Sequence, residues 1–152
     1  MLSQQEMSDQ IELQRLVTAY SYAIDERAFE RLDEIFTPDA QIDYSAMGGM
    51  KGSFAEVSKW LPQALKPFPG YMHLIGNLAF EVKGDHATGK VACFNPMVVP
   101  TPEGGTDTMF LGLWYHDQYR RTPAGWRISE RVEHSSYHYN MPEWMKKALK
   151  LA

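Results

Sequence analysis

The sequence predicts an α+β fold: a cone-shaped α+β barrel whose curved antiparallel or mixed sheet carries three N-terminal helices on its concave face. Two observations carry this prediction. Helical periodicity is concentrated before Gly70, whereas the residues after Gly70 mostly alternate between apolar and polar and are separated by turn sequences. Helices followed by a meandering sheet are typical of an α+β plan. Because a sheet must bury one face, the early helices are expected to cover it and to leave a cavity at its open end.

Length and charge narrow the class of protein. The 152 residues fit a single domain, residues 1–152, in which 140–152 form a short C-terminal helix or a tail. The net charge of -4 argues against a nucleic-acid partner or an anionic membrane surface. No apolar run reaches the roughly 18 residues of a membrane span, and the first ten residues, MLSQQEMSDQ, do not resemble a signal peptide. Cys93 is the single cysteine, so no intrachain disulfide is available and a cytoplasmic location is expected.

The first helix is predicted from Ser3 onward, because Ser3 and Glu6 fit a capping box. Asp25 follows the apolar stripe of this helix and lies near its end, where a carboxylate opposes the helix dipole. Two interpretations stay open: Asp25 caps the next helix, or it serves a functional site. The apolar stripe consists of Leu13, Leu16, Val17, Tyr20 and Ile24.

The remaining elements follow from the same rules. A shorter helix over 28–36 is expected to stop at 37–40, because Pro38 cannot continue helical hydrogen bonding. Ser53 and Glu56 fit a second capping box, which opens a third helix. Strands are predicted at 41–44, 71–83, 88–99, 107–121 and 126–135.

His73 lies in the strand-like run 71–83, on the predicted face that also carries Asn77. If that face closes over Asp25, the carboxylate accepts a hydrogen bond from one imidazole nitrogen and leaves the other free to accept a proton. Asp25 and His73 are therefore the candidate catalytic pair, and Asn77 is expected to line the wall beside them. The alternative is a structural histidine that bonds only to backbone.

Tyr20 and Tyr44 are the candidate acids, because each is predicted to face the interior, where a phenol can donate to a substrate oxygen. The alternative for each is a core aromatic bonded to one backbone carbonyl. Arg131 is expected to bind an anionic or leaving group if its strand face looks into the cavity, and to be solvated otherwise. That face is predicted to carry Arg127, Ser129 and Glu133 as well. No HExxH, CxxC pair, GxGxxG or GxSxG motif is present, so the sequence gives no support for a metal or nucleotide cofactor.

Three segments resemble the SnoaL-like branch of the nuclear transport factor two-like superfamily over about residues 10–139: AYSYAIDERAFERLDEIFTPDAQIDY, YMHLIGN and LWYHDQYRRTPAGWRISE. The arrangement is similar to that of scytalone dehydratase, bile-acid dehydratase and hexachlorocyclohexane dehydrochlorinase, which remove water or HCl without a cofactor. The resemblance implies that Asp25 and His73 are the Asp–His dyad of those enzymes. It also places Tyr20 and Tyr44 at positions where members of that group of enzymes have catalytic side chains.

Two positions depart from the scytalone dehydratase pattern. Ile24 stands where that enzyme has a second tyrosine, and Phe110 where it has a second active-site histidine, so a substrate other than scytalone is implied. The superfamily also contains isomerases, polyketide cyclases, a carbon–carbon lyase and non-catalytic members, among which fold alone does not decide.

The predicted function is a cofactor-independent, dehydratase-like lyase acting on a small apolar molecule, expected to be aromatic or polycyclic. His73 is the expected general base. Trp60, Asn77, Phe110 and Arg131 are the expected substrate-binding residues. The alternatives are an isomerase, a carbon–carbon lyase that deformylates its substrate, and a non-catalytic binding or assembly domain. A homodimer or homotrimer is implied by the superfamily.

Overall fold

A computed structural model describes residues 1–151 of the chain. The helices are α1 (Gln4–Asp25), α2 (Phe54–Leu65) and α3 (Glu143–Ala148), and two short 3-10 helices span Phe29–Glu34 and Ser45–Met47. The strands are β1 (Phe36–Asp43), β2 (Lys51–Ser53), β3 (Gly70–Tyr71), β4 (Leu74–Lys83), β5 (His86–Pro100), β6 (Thr106–Thr122) and β7 (Gly125–Tyr139).

The strands form one mixed sheet in the order β2-β1-β7-β6-β5-β3, with β4 pairing to β5 on the edge that β3 also occupies. Every pair is antiparallel except β1 and β7, which run parallel. The sheet is a curled half-barrel, so the predicted α+β class is confirmed. None of its helices within residues 1–151 has the length and apolar character needed to cross a membrane.

The capping box that opens α1 is present: the Ser3 side chain accepts from the Glu6 backbone N–H, and Glu6 accepts from the Ser3 N–H. The apolar stripe of α1 is buried and packs toward the sheet, with the helix contacting β4 and β7. The helix ends at Asp25, and the backbone of Arg27 turns through a left-handed conformation with φ of 57°. This turn leads into the 3-10 helix and then into strand β1.

The predicted second helix over 28–36 is wrong in type and length. The segment forms a single short 3-10 helix over Phe29–Glu34, and strand β1 already starts at Phe36. Residues 37–40, predicted to be a break, lie inside β1. The pairing of β1 with β7 shifts register between Phe36 and Gln41, and Pro38, which has no backbone N–H to donate, lies in that irregular stretch.

Two of the register shifts in the sheet change which of the candidate site residues face the interior. The pairing of β4 with β5 shifts between Ile75 and Leu78, and that of β6 with β7 shifts between Gln118 and Tyr119. An extra residue in a strand reverses the alternation beyond it. The regular alternation predicted that Arg131 shares a face with Arg127 and Ser129. Because of the shift in β7, it does not.

The interior is formed by the inner face of the sheet together with α1 and α2. Helix α3, in the predicted position near the chain end, contributes Met145 to the buried residues, and Met141, which precedes the helix, is buried as well. The residues at the open end of the half-barrel therefore come from all three helices and from the sheet.

Candidate active site

Asp25 and His73 meet at the end of α1. The carboxylate Oδ1 is 2.6 Å from the ring Nδ1 of His73, and Oδ2 accepts the backbone N–H of His73 at 2.8 Å. With Asp25 ionised, Nδ1 carries the proton and Nε2 is left with its lone pair. The His73 side chain is 9% exposed, and His73 lines a cavity.

Asp25 does not cap the following segment. The residue that precedes the 3-10 helix is Ala28, whose side chain makes no capping hydrogen bond. The unfavourable position of a carboxylate at a helix end is compensated by its two hydrogen bonds to His73. The interpretation of Asp25 as a helix cap is therefore wrong.

His73 was predicted within a continuous strand, but it lies in the interruption between β3 and β4. Its neighbour Met72 is held from both sides: the Met72 N–H donates to the Pro96 carbonyl, and the Met72 carbonyl accepts from the Asn95 side chain at 2.9 Å. Asn95 is buried and lines the same cavity. Sequence reasoning missed Asn95, because its position on the inner face of β5 carried no chemical signal of its own.

Tyr20 and Tyr44 are joined by a hydrogen bond of 2.7 Å between their hydroxyls, and both line the cavity. Burial raises the pKa of Tyr20 and raises the pKa of Tyr44 well above its usual value, so both phenols stay protonated. The ring of Tyr20 meets that of His73 edge to face, with centroids 6.4 Å apart. One hydroxyl of the pair uses its proton within the pair, and the other can donate to a bound molecule.

Arg131 is fully buried and forms a bidentate ion pair with Asp117, with Nε and Nη2 donating at 2.8 and 2.7 Å. The Tyr119 hydroxyl donates to the same carboxylate. The guanidinium lies between the rings of Tyr20 and Tyr115, 4.2 and 4.0 Å from their centroids. Arg131 therefore supports the tyrosines from behind and is not at the cavity wall, where it was expected to bind substrate.

Glu133 lines the cavity from β7, two residues beyond Arg131, and is only 9% exposed. Burial raises the pKa of its carboxyl to about 8, while the positive charge of Arg131 acts in the opposite direction. Its Oε2 atom has no hydrogen-bond partner among the residues that the structure describes. The sequence placed Glu133 on the face of Arg131 but did not single it out, because an acidic residue in a strand is usually solvated.

The cavity has a volume of about 340 Å³, within the range of small-molecule sites. Its walls are largely apolar, and Trp60 lines it as predicted. Trp144 and Leu149, at the end of the chain, also contribute to the wall. Five methionines surround the space: Met47, Met97, Met109, Met141 and Met145.

The structure does not bring Asn77 or Phe110 to this cavity. Asn77 lies in the register shift of β4 and lines a surface depression on the outer face of the sheet, beside Phe94. The ring of Phe110 stacks on Phe94 with centroids 5.7 Å apart, whereas the flanking Met109 and Leu111 point into the cavity. The predicted substrate contacts of Asn77 and Phe110 are therefore wrong.

Within residues 1–151 there is no group of three His, Cys, Asp or Glu side chains arranged to hold a metal ion. The polar groups of the site are instead the Asp25–His73 pair, the two phenols, the Asn95 amide and Glu133.

Comparison with known proteins agrees with this architecture. A model of the SnoaL-like domain family matches residues 5–132. An uncharacterised protein of Mycobacterium tuberculosis is 50% identical over 133 residues, which are 88% of this chain and 89% of that protein.

Two solved structures share the fold at low sequence identity. A candidate scytalone dehydratase from Novosphingobium aromaticivorans superposes with a TM-score of 0.77 at 18% identity, over 90% of this chain and 89% of that one. A hexachlorocyclohexane dehydrochlorinase from Novosphingobium barchaimii gives a TM-score of 0.74 at 19% identity, over 90% of this chain and 92% of that one. At such identity the likeness concerns the fold.

Proposed function

The chain belongs to the SnoaL-like domain family, and on that premise we propose that it is a cofactor-independent lyase that eliminates a small leaving group from a cyclic or aromatic molecule. The hydrogen bond of 2.6 Å between Asp25 and the Nδ1 atom of His73 carries this proposal. It orients the ring and leaves Nε2 to remove a proton from carbon.

The substrate class is argued from the cavity. Its walls are mainly methionine, aliphatic and aromatic side chains around a few polar groups at one site. Such a surface favours a small, largely apolar ligand whose polar atoms are few and specifically placed. Flexible methionines adapt to flat rings and irregular outlines, so an aromatic or polycyclic substrate fits best.

The protonated Tyr20–Tyr44 pair supports the elimination. Removal of a proton from carbon moves negative charge onto an electron-withdrawing group of the substrate, such as a carbonyl oxygen. A phenol that donates a hydrogen bond in a water-poor site stabilises that charge more than it stabilises the neutral ground state. Arg131, paired with Asp117 and stacked on the Tyr20 ring, supports the position of that ring behind the pair.

The dehydrochlorinase and the candidate dehydratase that share this fold are named for eliminations, so the fold is compatible with the lyase chemistry proposed here. An isomerase would use the same base and return the proton to another carbon. Product mass separates these outcomes, since elimination of water, HCl or formaldehyde lowers the mass and isomerisation does not.

General-base chemistry can be tested with 5-nitrobenzisoxazole, which opens to a coloured 2-cyanophenolate when a base removes its ring C–H proton. We expect the wild type to accelerate opening and His73→Ala to reduce the rate by about 10²–10⁴-fold. The matched control is His86→Ala, because His86 is exposed at the start of β5. Circular dichroism checks that both variants fold.

Two outcomes would overturn the proposal. Equal rates for the wild type and His73→Ala would remove the general base. No acceleration by the wild type, together with saturable binding of the probe in the cavity, would favour a binding domain.

We also propose that the chain forms a homodimer or homotrimer through the outer face of the sheet. Large apolar or aromatic side chains are exposed there, and exposed patches of this kind mark interaction surfaces in soluble domains. The exposed side chains include Leu74, Phe94, Tyr137 and Tyr139. Light scattering on the wild type and on Phe94→Glu tests this, and a monomer in both would contradict it.

A further inference from the structure

Glu133 is a buried acidic residue to which the proposed function assigns no role. It faces the same cavity as His73, and its side chain is more than nine-tenths buried. Its Oε2 atom finds no partner within residues 1–151, although buried polar atoms are nearly always hydrogen-bonded. Glu133 therefore lies at the wall of the cavity with one carboxyl oxygen that no described protein group hydrogen-bonds.

The charges around Glu133 leave it neutral. Arg131 is the nearby cation, but its guanidinium already makes two hydrogen bonds to Asp117, so its charge is largely compensated. Asp43 on β1 disfavours a second negative charge, and the backbone N–H of Met47 favours one. The other titratable groups that sense the charge of Glu133 are the protonated side chains of Tyr20, Tyr44, Cys93 and Tyr115. Burial is the dominant influence, and it raises the pKa of Glu133 to about 8.

An elimination needs a proton donor as well as a base, because hydroxide is a poor leaving group. The two phenols are badly suited to give up a proton, since burial raises the pKa of Tyr20 and of Tyr44. A general acid works best when its pKa lies near the working pH. Among the acids that line this cavity, Glu133 fits that requirement, whereas Tyr20 and Tyr44 fit the role of hydrogen-bond donors.

We propose that Glu133 is the catalytic acid of the site, giving its proton to the departing oxygen while His73 removes the proton from carbon. The proposal rests on the lyase function argued above. The Nε2 atom of His73 takes the carbon-bound proton, the C–H electron pair becomes the new double bond, and the C–O bond breaks. The oxygen leaves with the proton of Glu133, as water from an alcohol. Return of the proton from His73 to Glu133 through solvent restores both groups.

This assignment restricts the substrate to neutral molecules whose leaving group must be protonated before it departs. An example is a hydroxyl on the β carbon of a carbonyl compound. A substrate with a carboxylate at this position is excluded, because it would place a negative charge against a buried acid and Asp43. Chloride leaves without a proton, so a chlorinated substrate would not need Glu133.

The test compares Glu133→Gln with the wild type on two probes that share the same C–H bond: 5-nitrobenzisoxazole and unsubstituted benzisoxazole. In both, base removal of the proton breaks the N–O bond and gives a 2-cyanophenol once the oxygen is protonated. The nitro compound releases a stable phenolate, whereas the parent compound needs more help from an acid. We expect Glu133→Gln to lower kcat/KM for the parent compound by about 10²-fold and for the nitro compound by less than about threefold.

The control is Glu130→Gln, on the same strand, whose carboxylate bonds to Gln118 outside the cavity. It should change neither rate. An equal loss on both probes in Glu133→Gln, with His73→Ala inactive, would overturn the acid and leave the lyase standing. No turnover of either probe by the wild type would overturn both proposals.

Infrared difference spectroscopy gives a readout that needs no turnover. The wild type minus Glu133→Gln spectrum should show the carbonyl stretch of a protonated carboxyl at pH 6.5, and this band should fade as the pH rises above 8. An ionised carboxylate at pH 6.5 would overturn the assignment, because the acid would then have no proton to give.

Discussion

Asp25 holds both the ring and the backbone of His73, accepting from Nδ1 at 2.6 Å and from the backbone N–H at 2.8 Å. These bonds connect the end of α1 to the interruption between β3 and β4, 48 residues later in the sequence. The interruption is what frees the His73 N–H from the sheet, so that a side chain can take it. The orientation of the base therefore depends on helix and sheet together.

Asp25→Asn should keep the fold but impair the base. An asparagine amide donates to Nδ1, which forces the ring proton onto Nε2 and removes the lone pair that accepts the proton. We expect the rate on 5-nitrobenzisoxazole to fall by at least about 10²-fold. Nitrogen-15 NMR of the imidazole should show the changed tautomer. Asp39→Asn, at an exposed carboxylate paired with Arg120, should behave as the wild type; unchanged rates in Asp25→Asn would contradict the assigned role.

The Tyr20–Tyr44 hydrogen bond should appear as energetic coupling. Tyr20→Phe or Tyr44→Phe alone leaves a buried hydroxyl without its 2.7 Å partner, at a cost of about 1–3 kcal/mol in the free energy of unfolding. Removing both hydroxyls leaves no unpaired donor, so the double variant should lose less than the sum of the single losses. Urea denaturation of the wild type, the two single variants and the double variant measures this coupling. Tyr22→Phe, at an exposed position of α1, is the control, and strictly additive losses would disprove the coupling.

Much of the fold could be predicted because the sequence patterns that determine it are local. The capping box of Ser3 and Glu6 marks the start of α1, and the alternation after Gly70 marks the long strands. The segment 28–36 was predicted to be helical because its apolar spacing suits a helix. The pairing of Phe36 with Ile128 of β7 instead places the end of this segment in the sheet. That partner lies far along the chain, and local propensity does not report it.

The candidate site was readable only in part. Asp25 and His73 were predicted because a carboxylate near a helix end is unfavourable and because the segments around both residues resemble a family that carries an Asp–His dyad. Asn77 and Arg131 were misplaced because register shifts in β4 and β7 alter the inward alternation, and no residue pattern announced those shifts. Glu133 was placed on the correct face, with Arg131, but was not singled out because an acidic residue in a strand is usually solvated.

Glu133 should make stability depend on pH. Its pKa rises from an ordinary 4.5 to about 8 on folding, so between these values the folded protein holds a proton that the unfolded chain has lost. The stabilisation is complete below pH 4.5 and is lost as the pH rises through 8. Relative to Glu133→Gln, the wild type should therefore lose up to about 1.4 kcal/mol per pH unit in that window. Urea unfolding of both proteins at several pH values checks the sign, and parallel curves would contradict it.

Asp117→Asn should destabilise the fold and ionise Glu133. Both members of the Arg131–Asp117 pair are fully buried, and removing one charge of such a pair costs about 3–5 kcal/mol. The guanidinium, no longer compensated, should then favour the ionised form of Glu133 and lower its pKa. Urea denaturation and infrared titration measure the two effects. Asp85→Asn, at an exposed partner of Arg121, should show neither, and an unchanged Glu133 titration in Asp117→Asn would contradict the electrostatic coupling.

Gly48→Ala should loosen the C-terminal helix and weaken ligand binding. Gly48 has a φ of 79°, and a Cβ added there would collide with the Leu149 side chain, which lines the cavity just after α3. Gly104→Ala is the matched control, because its φ is 88° and no atom lies within 4 Å of the added Cβ. Both substitutions carry the left-handed strain of about 1–2 kcal/mol, but the first alone also displaces Leu149. Faster hydrogen exchange in α3 and a weaker affinity for 5-nitrobenzisoxazole are expected in Gly48→Ala only; equal behaviour of the two variants would show that α3 does not depend on this contact.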